Sequence, residues 1–192
     1  MDPILPHMQF ITLKTVNSSA LIQGIVIRPL KINSDESGIL VETLRSDWQD
    51  VYGPGREFAM QYFSTTKKGI AKDEDMWHSH NVQQDRIIVA QGEIVLAIAD
   101  NRPKSKTYGL LNLFRMSASV DPYIIVIPKK VLHGYLAISK EDALLLNFPT
   151  ELYNPANDSN ISHSDVSVVF ENGKPFSWDL IRKEIGLSVK NR

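Results

Sequence analysis

Residues 86–99, with the sequence RIIVAQGEIVLAIA, decide the fold class. Two short apolar runs, Arg86–Ala90 and Glu93–Ala99, flank Gln91 and Gly92, and this arrangement predicts a β-hairpin. Seven further runs of the same kind, each bounded by turn residues, occur at Ala20–Ile27, Gly38–Leu44, Glu57–Ser64, Tyr108–Arg115, Tyr123–Ile127, Gly134–Ile138 and Ala143–Phe148. Many short strands in succession are typical of an all-β sandwich or barrel.

The strongest helix signal lies at the C-terminal end. Ser177 is a suitable N-cap for a helix over Trp178–Ile185, and Gly186 is a suitable stop. Two polar segments, Lys67–Asp75 and Asn154–Asp165, are predicted to be loops. Because the sequence contains neither an internal repeat nor a linker-like stretch, we expect residues 1–192 to form a single domain.

Composition excludes several classes of protein. The chain has 21 Lys and Arg against 22 Asp and Glu, a formal net charge of −1, which argues against a nucleic-acid partner. The sequence contains no apolar run near the roughly 20 residues that a membrane span needs. Its first residues, MDPILPHMQF, lack the layout of a secretory signal. The absence of cysteine excludes disulfides and thiolate chemistry. We therefore expect a cytoplasmic protein with no membrane partner.

Three of the five histidines lie in two apolar-flanked segments, WHSH at 77–80 and VLHG at 131–134. Residues two apart on a strand share a face, so His78 and His80 are expected to project together, although a one-residue change of register would reverse both. The spacings H-x-H-x4-D-x6-G and P-x4-H resemble the two motifs of the cupin superfamily of small β-barrels. In metal-binding cupins this set holds one divalent transition metal, and here it comprises His78, His80, Asp85 and His133. Alternatively, hydrogen bonds within the barrel satisfy the histidines and no metal binds.

Five stretches, in order, resemble a narrower family, the dTDP-4-dehydrorhamnose 3,5-epimerases, a metal-independent branch of the cupins. Asp100–Gly109 matches D-x-R-x-x-S-x-T-[FY]-G at every specified position, and Ile127–Ser139 matches I-P-x-x-x-x-H-G-[FY]-x-x-x-S. The other three are Asp35–Asp47 (D-x-R-G-x-F-x-E), Gln61–Lys72 (the approach to R-G-L-H) and Thr150–Pro155 (T-x-x-Y-x-P). The resemblance implies a cupin-type double-stranded β-helix barrel with its core over residues 35–155, a C-terminal loop and helix over 156–192, and a homodimer.

The resemblance also implies a reaction, the acid–base epimerisation of a dTDP-4-keto-6-deoxyhexose at a carbon beside the ketone, with no cofactor. Removal of the proton gives an enolate, and protonation from the other face inverts the carbon. His78 is the implied base, because a neutral imidazole titrates near working pH. Tyr153 is the candidate acid, and Asp85, Asp75 and Glu74 are candidate partners of the imidazolium. The candidate substrate-binding residues are Glu42, Lys72, His80, Arg102, His133 and Asn147.

Departures from the family pattern keep two alternatives open. Asp85 stands where the family has a catalytic lysine, Asn147 where it has a catalytic tyrosine, and Ser37 where it has a phosphate-binding arginine. A carboxylate at 85 opposes enolate formation unless it is protonated or bound to metal. One alternative is a metal-dependent cupin isomerase or oxygenase that uses the His78, His80, Asp85 and His133 set. The second is a non-catalytic protein that binds a sugar nucleotide.

The remaining aromatic, basic and histidine residues receive structural interpretations. The aromatic residues Trp77, Tyr62, Phe63 and Tyr135 are expected in the barrel core in preference to a stacking platform. Arg86 is one of several cations that could grip a diphosphate, for which the guanidinium fork is suited. His7 and His163 lie in terminal or polar segments and are expected to be solvated.

Overall fold

The computed structural model describes residues 8–189, so His7 lies outside the described residues. Strands dominate this part of the chain, and it contains two short α-helices, α1 (Gln49–Tyr52) and α2 (Trp178–Glu184). The strands are β1 (Val26–Pro29), β2 (Ile32–Asp35), β3 (Gly38–Val41), β4 (Tyr62–Thr66), β5 (Ala71–Lys72), β6 (Met76–His80), β7 (Asp85–Gln91), β8 (Glu93–Ala99), β9 (Leu111–Ser117), β10 (Tyr123–Ile127), β11 (Leu132–Ala137), β12 (Ala143–Asn147) and β13 (Asp158–Ser162). The predicted all-β class and the short C-terminal helix are confirmed.

Two antiparallel sheets face each other. One contains five strands in the order β1-β10-β7-β12-β4, and the other runs β13-β6-β11-β8-β9 with β5 also paired to β11. Strands β2 and β3 form a separate hairpin. The prediction of a β-hairpin over residues 86–99 is wrong in its pairing: β7 pairs with β10 and β12, and β8 pairs with β11 and β9 in the other sheet. The tight turn between them is at Gly92 as predicted, with φ +76°, and a Cβ at this position would lie 2.4 Å from the Ser139 hydroxyl. Glycine is therefore required at this turn by both backbone and space.

Both faces of the central strands are buried, which explains why their sequences are continuously apolar. In β8, Ile94, Leu96 and Ile98 point between the two sheets and belong to the inner core. The alternate residues of β8 point outward into a second cluster, to which α2 and the segment before it contribute Phe176 and Trp178. The outer face of the five-stranded sheet is covered in the same way by residues of α1. Each fully buried aliphatic or aromatic side chain contributes about 1.5–3 kcal/mol to folding.

The prediction of a loop over Asn154–Asp165 is wrong, because Asp158–Ser162 forms β13 at the edge of the six-stranded sheet. This strand pairs with β6 along its whole length, yet it carries mostly polar side chains and so lacks the alternation by which a half-buried strand is recognised. The loop prediction over Lys67–Asp75 likewise misses β5. Of the predicted strand Ala20–Ile27, only the last two residues lie in β1.

Arg86 is buried, so it is not a surface cation available to a diphosphate. It lies on the outer face of β7 with its guanidinium carbon 4.4 Å from the centre of the Tyr52 ring. Its nitrogens donate to backbone carbonyls of residues 51, 56, 57, 148 and 149. Arg86 thus joins α1, the 56–57 segment and the end of β12 to the five-stranded sheet.

The expected environments of several aromatic and histidine residues need correction. Trp77 and Tyr135 are buried as expected, but Tyr62 and Phe63 are exposed over 42% and 66% of their surface. His163 is not solvated as predicted: its ring lies 5.0 Å from Trp77 and 4.9 Å from Phe176, centre to centre. Among residues 8–189, no helix is both long and apolar enough to cross a membrane.

Candidate active site

The candidate site lies where polar side chains replace apolar ones on the inner faces of the two sheets. In β6, Trp77 packs in the outer cluster, so its neighbours His78 and His80 point inward. His133 in β11 points the same way, because the adjacent Leu132 belongs to the outer cluster and His133 is the register partner of His78. The structure therefore resolves the register that the sequence left open, with the two histidines of β6 facing the interior.

His80 lies between two carboxylates. Its Nδ1 is 2.7 Å from Asp158 Oδ1, and its Nε2 is 3.0 Å from Asp85 Oδ2. Burial alone would lower the pKa of His80, but Asp85 and then Asp158 outweigh it, so the pKa is raised above its usual value. Each ring nitrogen faces a carboxylate oxygen, which can only accept when ionised, so these two contacts favour the positively charged form of His80.

Asp85 is the carboxylate shared by the two sheets. It begins β7, is only 3% exposed, and accepts from Gln83 Nε2 at 3.0 Å in addition to His80. His133 Nε2 lies 3.3 Å from the same Oδ2 atom, while His133 Nδ1 donates to the Val131 carbonyl at 3.1 Å. Burial favours the neutral acid, but His133 and His80 hold the pKa of Asp85 well below its usual range. Asp85 is an anion held by two imidazoles.

His78 has a different environment. Its Nδ1 lies 2.8 Å from the side-chain oxygen of Asn160 in β13, an atom that only accepts, so Nδ1 carries the proton and Nε2 bears a lone pair. Burial is the main cause that lowers the pKa of His78, and the hydrogen bond to Asn160 partly opposes it. The neighbouring rings of His133 and His80 lower the pKa further. His78 is thus a neutral imidazole whose Nε2 is free to accept a proton.

The three histidines also form a candidate metal-ligand set. One ligand atom from each of His78, His80 and His133 lies within 4.8 Å of the other two. Each Nδ1 is bonded to an oxygen, which is how metal-ligating histidines are oriented. The Nε2 atoms of His80 and His133 face Asp85 Oδ2, so a metal held by the three histidines would have to displace these two contacts. Two ligands of a tetrahedral zinc are about 3.3 Å apart at usual bond lengths, so the three rings would also have to move closer together.

The five-stranded sheet supplies the opposite wall. Asn147 at the end of β12 is buried, and its register partner on β4 is Tyr62. The Asn147 oxygen accepts from the Arg86 backbone N–H at 3.1 Å, and its Nδ2 donates to the Tyr62 hydroxyl oxygen at 2.8 Å. The phenol therefore reaches the interior although 42% of the whole residue is exposed.

The structure brings together some of the predicted site residues and separates others. His78, His80, Asp85, His133 and Asn147 line one region between the sheets. Glu42 pairs with Arg45 in an exposed ion pair after the β2–β3 hairpin. Lys72 is exposed on β5 beside Tyr135, and Tyr153 is 67% exposed beyond the end of β12. Glu74, a candidate partner of the base, binds Arg182 instead.

Arg102 lies in a turn of its own. Its guanidinium binds both oxygens of Asp100 at 2.8 Å and also the Gln23 carbonyl. The hydroxyls of Ser105 and Thr107 donate to the same carboxylate. The motif D-x-R-x-x-S-x-T-Y-G is therefore one hydrogen-bonded turn between β8 and β9, in which Arg102 braces Asp100.

Sequence reasoning missed three residues of the site, Asp158, Asn160 and Tyr62. Asp158 and Asn160 lie opposite His80 and His78 on β13, which was predicted to be a loop. Their two-residue spacing matches that of the histidines and was the available signal. Tyr62 was interpreted as core, and only its pairing with Asn147 reveals its place.

Comparison with known proteins gives the same fold and one family. The model of the dTDP-4-dehydrorhamnose 3,5-epimerase family matches residues 19–190. The chain is 38% identical to the probable low-salt glycan biosynthesis epimerase Agl13 of Haloferax volcanii over 134 residues, which are 69% of this chain and 81% of that protein.

Solved structures with the same fold include two sugar-nucleotide enzymes. A dTDP sugar isomerase from Desulfovibrio desulfuricans G20 has a TM-score of 0.69 at 23% identity, with 83% of this chain and 95% of that chain covered. The epimerase RmlC from Legionella pneumophila, in complex with dTDP-4-keto-L-rhamnose, has a TM-score of 0.67 at 23% identity, with 79% and 81% covered. The fold is the cupin-type barrel of such epimerases, as the sequence predicted.

Proposed function

The chain belongs to the dTDP-4-dehydrorhamnose 3,5-epimerase family, and from this premise we propose that it inverts a carbon beside the ketone of a dTDP-linked 4-keto-6-deoxyhexose. Family membership makes the protein an enzyme of the epimerase type, so the alternative of a non-catalytic binding protein is set aside. The ligand of the Legionella enzyme supports the proposed substrate class. The observation that carries the proposal is the neutral His78 with its free Nε2 inside the barrel.

His78 is the proposed base. A proton on a carbon beside a ketone is acidic because the carbanion delocalises into an enolate, and an imidazole lone pair is suited to remove it. Asn160 holds the ring in the tautomer that presents Nε2. Both nitrogens of His80 contact carboxylates, so we assign this residue a different role. It supplies positive charge beside Asp85, at the place where the family has a catalytic lysine.

Product analysis tests this proposal. With dTDP-4-keto-6-deoxyglucose as substrate, we expect proton NMR to show inversion at carbon 3, carbon 5 or both. His78→Asn should reduce the rate by about 10²–10⁴-fold, the usual contribution of a general base. His163→Asn is the matched control, since His163 packs on the outer face of the sheet, and it should retain the rate per folded molecule. An unchanged rate in His78→Asn would contradict the assignment of the base.

A metal-bound form of the same site is the second candidate, favoured by the convergence of the three histidines. His78, His80, His133 and Asp85 would hold one divalent transition metal, which as a Lewis acid would polarise a substrate carbonyl. His78 could not then be the base, so the two candidates exclude each other. Elemental analysis of protein purified without chelator or metal-affinity resin separates them. About one equivalent of metal per chain, lost in Asp85→Ala, would favour the metal-bound form, and a metal-free active enzyme would favour acid–base chemistry.

We also propose a homodimer. The β2–β3 hairpin is a two-stranded sheet, which is marginal in isolation, and it exposes Ile39 and Leu40. A second copy of the chain would cover these side chains. Light scattering should give twice the chain mass, and Ile39→Glu with Leu40→Glu should give the monomer mass. The cytoplasmic location and the single-domain boundary of residues 1–192 stay predictions.

A further inference from the structure

Tyr62 and Asn147 form a side-chain pair that the family pattern does not describe. Asn147 occupies the position of the family's catalytic tyrosine, and an amide cannot protonate a carbanion. Directly across from it, on the neighbouring strand, stands a tyrosine. Residues opposite each other in an antiparallel pair share one face of the sheet, so Tyr62 points to the same interior space as Asn147. The strand pair therefore still presents a phenol at this level of the barrel.

The hydrogen bonds of Asn147 determine which way the phenol donates. The Asn147 oxygen accepts from the backbone N–H of Arg86, which fixes the orientation of the amide. Its Nδ2 is consequently the donor to the Tyr62 oxygen. Since the phenol oxygen is the acceptor in this bond, its own O–H hydrogen remains available to another group. The arrangement holds the hydroxyl oxygen in place without using its proton.

The charges around the hydroxyl keep it protonated. Burial of the hydroxyl and, to a smaller extent, Asp85 raise the pKa of Tyr62 to about 12, although the hydrogen bond from Asn147 opposes them. The Asn147 amide that binds the phenol oxygen also accepts from the backbone N–H of Arg86, the residue next to Asp85, so the phenol lies near the carboxylate that the histidines hold. At neutral pH the phenol is a proton donor and not a base.

We propose that Tyr62 is the catalytic acid of the epimerisation and that Asn147 is its positioning residue. This rests on the proposed function. His78 lies on the six-stranded sheet and Tyr62 on the five-stranded sheet, so the two groups enter the site from opposite walls, as inversion of a carbon requires. His78 Nε2 takes the proton, and the electron pair of the broken C–H bond enters the enolate. The enolate carbon then forms a new C–H bond with the Tyr62 proton on its other face, and exchange with solvent returns the tyrosinate and the imidazolium to their starting states.

The Tyr62→Phe variant tests the proposal because it removes only the hydroxyl. In D₂O with dTDP-4-keto-6-deoxyglucose, we expect the rate of inversion to fall by about 100-fold or more, the scale of one acid or base. Uptake of deuterium with retained configuration should stay within a few-fold of the wild type, because His78 is intact. Tyr108→Phe, an exposed tyrosine in the β8–β9 turn, is the matched control and should match the wild type in both.

Several results would overturn the proposal. Wild-type inversion in Tyr62→Phe, or loss of inversion in Tyr153→Phe with Tyr62→Phe unaffected, would move the acid to another residue. An equal loss of exchange and inversion in Tyr62→Phe would mean that Tyr62 is not a specific donor. Failure of the proposed function is distinguishable, since the wild type itself would then show neither exchange nor inversion.

The role of Asn147 has its own test. Asn147→Ala should lower kcat for inversion while leaving KM and deuterium exchange near their wild-type values, because the base and the pocket remain. A merely structural role would instead lower the unfolding midpoint and reduce exchange and inversion together, and that result would contradict the positioning role.

Discussion

Two buried aspartates, one at the edge of each sheet's central strands, show how one residue type serves two purposes. Asp100 directly follows β8 and Asp85 begins β7, and both are almost completely buried. The partners of Asp100 all come from the next seven residues: the guanidinium of Arg102 and the hydroxyls of Ser105 and Thr107. These donors are one guanidinium and two hydroxyls, and they satisfy both carboxylate oxygens. Asp100 is therefore a fixed anion inside its own turn.

Asp85 is held by two imidazoles that come from two other strands. His80 reaches it from β6 and His133 from β11, so three strands must be assembled before the carboxylate has its partners. The cluster of Asp85, His80 and His133 also borders the space between the sheets that Tyr62 and Asn147 enter. The comparison teaches that burial alone does not identify a functional carboxylate. A functional carboxylate is identified by the chemistry of its partners and by the strands that supply them.

Replacing Asp100 should have the largest effect on stability. Asp100→Ala removes the acceptor of every donor in the turn, and we expect the free energy of unfolding to fall by about 3–5 kcal/mol, the range for breaking a buried charge pair. Urea unfolding followed by circular dichroism measures this. Lys14→Ala, which removes an exposed ion pair with Asp121, is the control and should change stability by less than about 0.5 kcal/mol. Activity per folded molecule should be unchanged in both variants.

Replacing Asp85 should reduce activity strongly and stability only slightly. Asp85→Asn keeps the size of the side chain and removes the charge that holds His80 and His133. We expect kcat to fall by about 100-fold, equivalent to about 2.7 kcal/mol, with an unfolding free energy within about 1.5 kcal/mol of the wild type. Steady-state kinetics and urea unfolding on the same samples measure both. A variant that keeps full activity but unfolds easily would place Asp85 in the same class as Asp100.

Acid should weaken the turn at Asp100 only at low pH. Its hydrogen bonds with Arg102, Ser105 and Thr107 outweigh burial and hold the pKa of Asp100 far below its usual range. A carboxyl whose pKa is lower in the folded state adds stability above its unfolded pKa of about 4, and loses it as pH falls further. Below about pH 4, the wild type should therefore lose more stability on acidification than Asp100→Asn does. Thermal melts at a series of pH values would measure this difference in melting temperature.

The smallest predicted effect concerns His163, a half-buried titratable group that contacts neither Asp85 nor Asp100. Burial against Trp77 and Phe176 lowers the pKa of His163, and its Nε2 makes no hydrogen bond. Folding then favours the neutral ring, so its contribution is complete above the unfolded pKa of about 6.5 and declines as pH falls below it. His163→Phe should flatten the dependence of the melting temperature on pH between about 6.5 and 5. An unchanged slope would show that His163 is solvated after all.

Different parts of this molecule were predictable to different degrees. Strands β7, β8 and β10, buried on both faces, appear as apolar runs, and the pair spacing of His78 and His80 correctly placed them on one face. Strand β13 was missed because Asp158 and Asn160 lie on a polar edge strand, which shows no alternation of apolar and polar residues and is held by backbone and side-chain contacts with β6. The Tyr62–Asn147 contact could not be predicted, since it depends on the register of β4 against β12. Turns and apolar strands depend on residues that are close together in the sequence, so they could be predicted. The site depends on which strands pair and in which register, and this could not be predicted.

The central claim is that His78 removes a proton from carbon inside the barrel. The most direct measurement is position-resolved deuterium uptake from D₂O into dTDP-4-keto-6-deoxyglucose by NMR, for the wild type and His78→Asn. We predict uptake at a carbon beside the ketone in the wild type and loss of about 10² or more in the variant. Uptake that persists unchanged in His78→Asn, or a wild type that takes up no deuterium, would contradict the account.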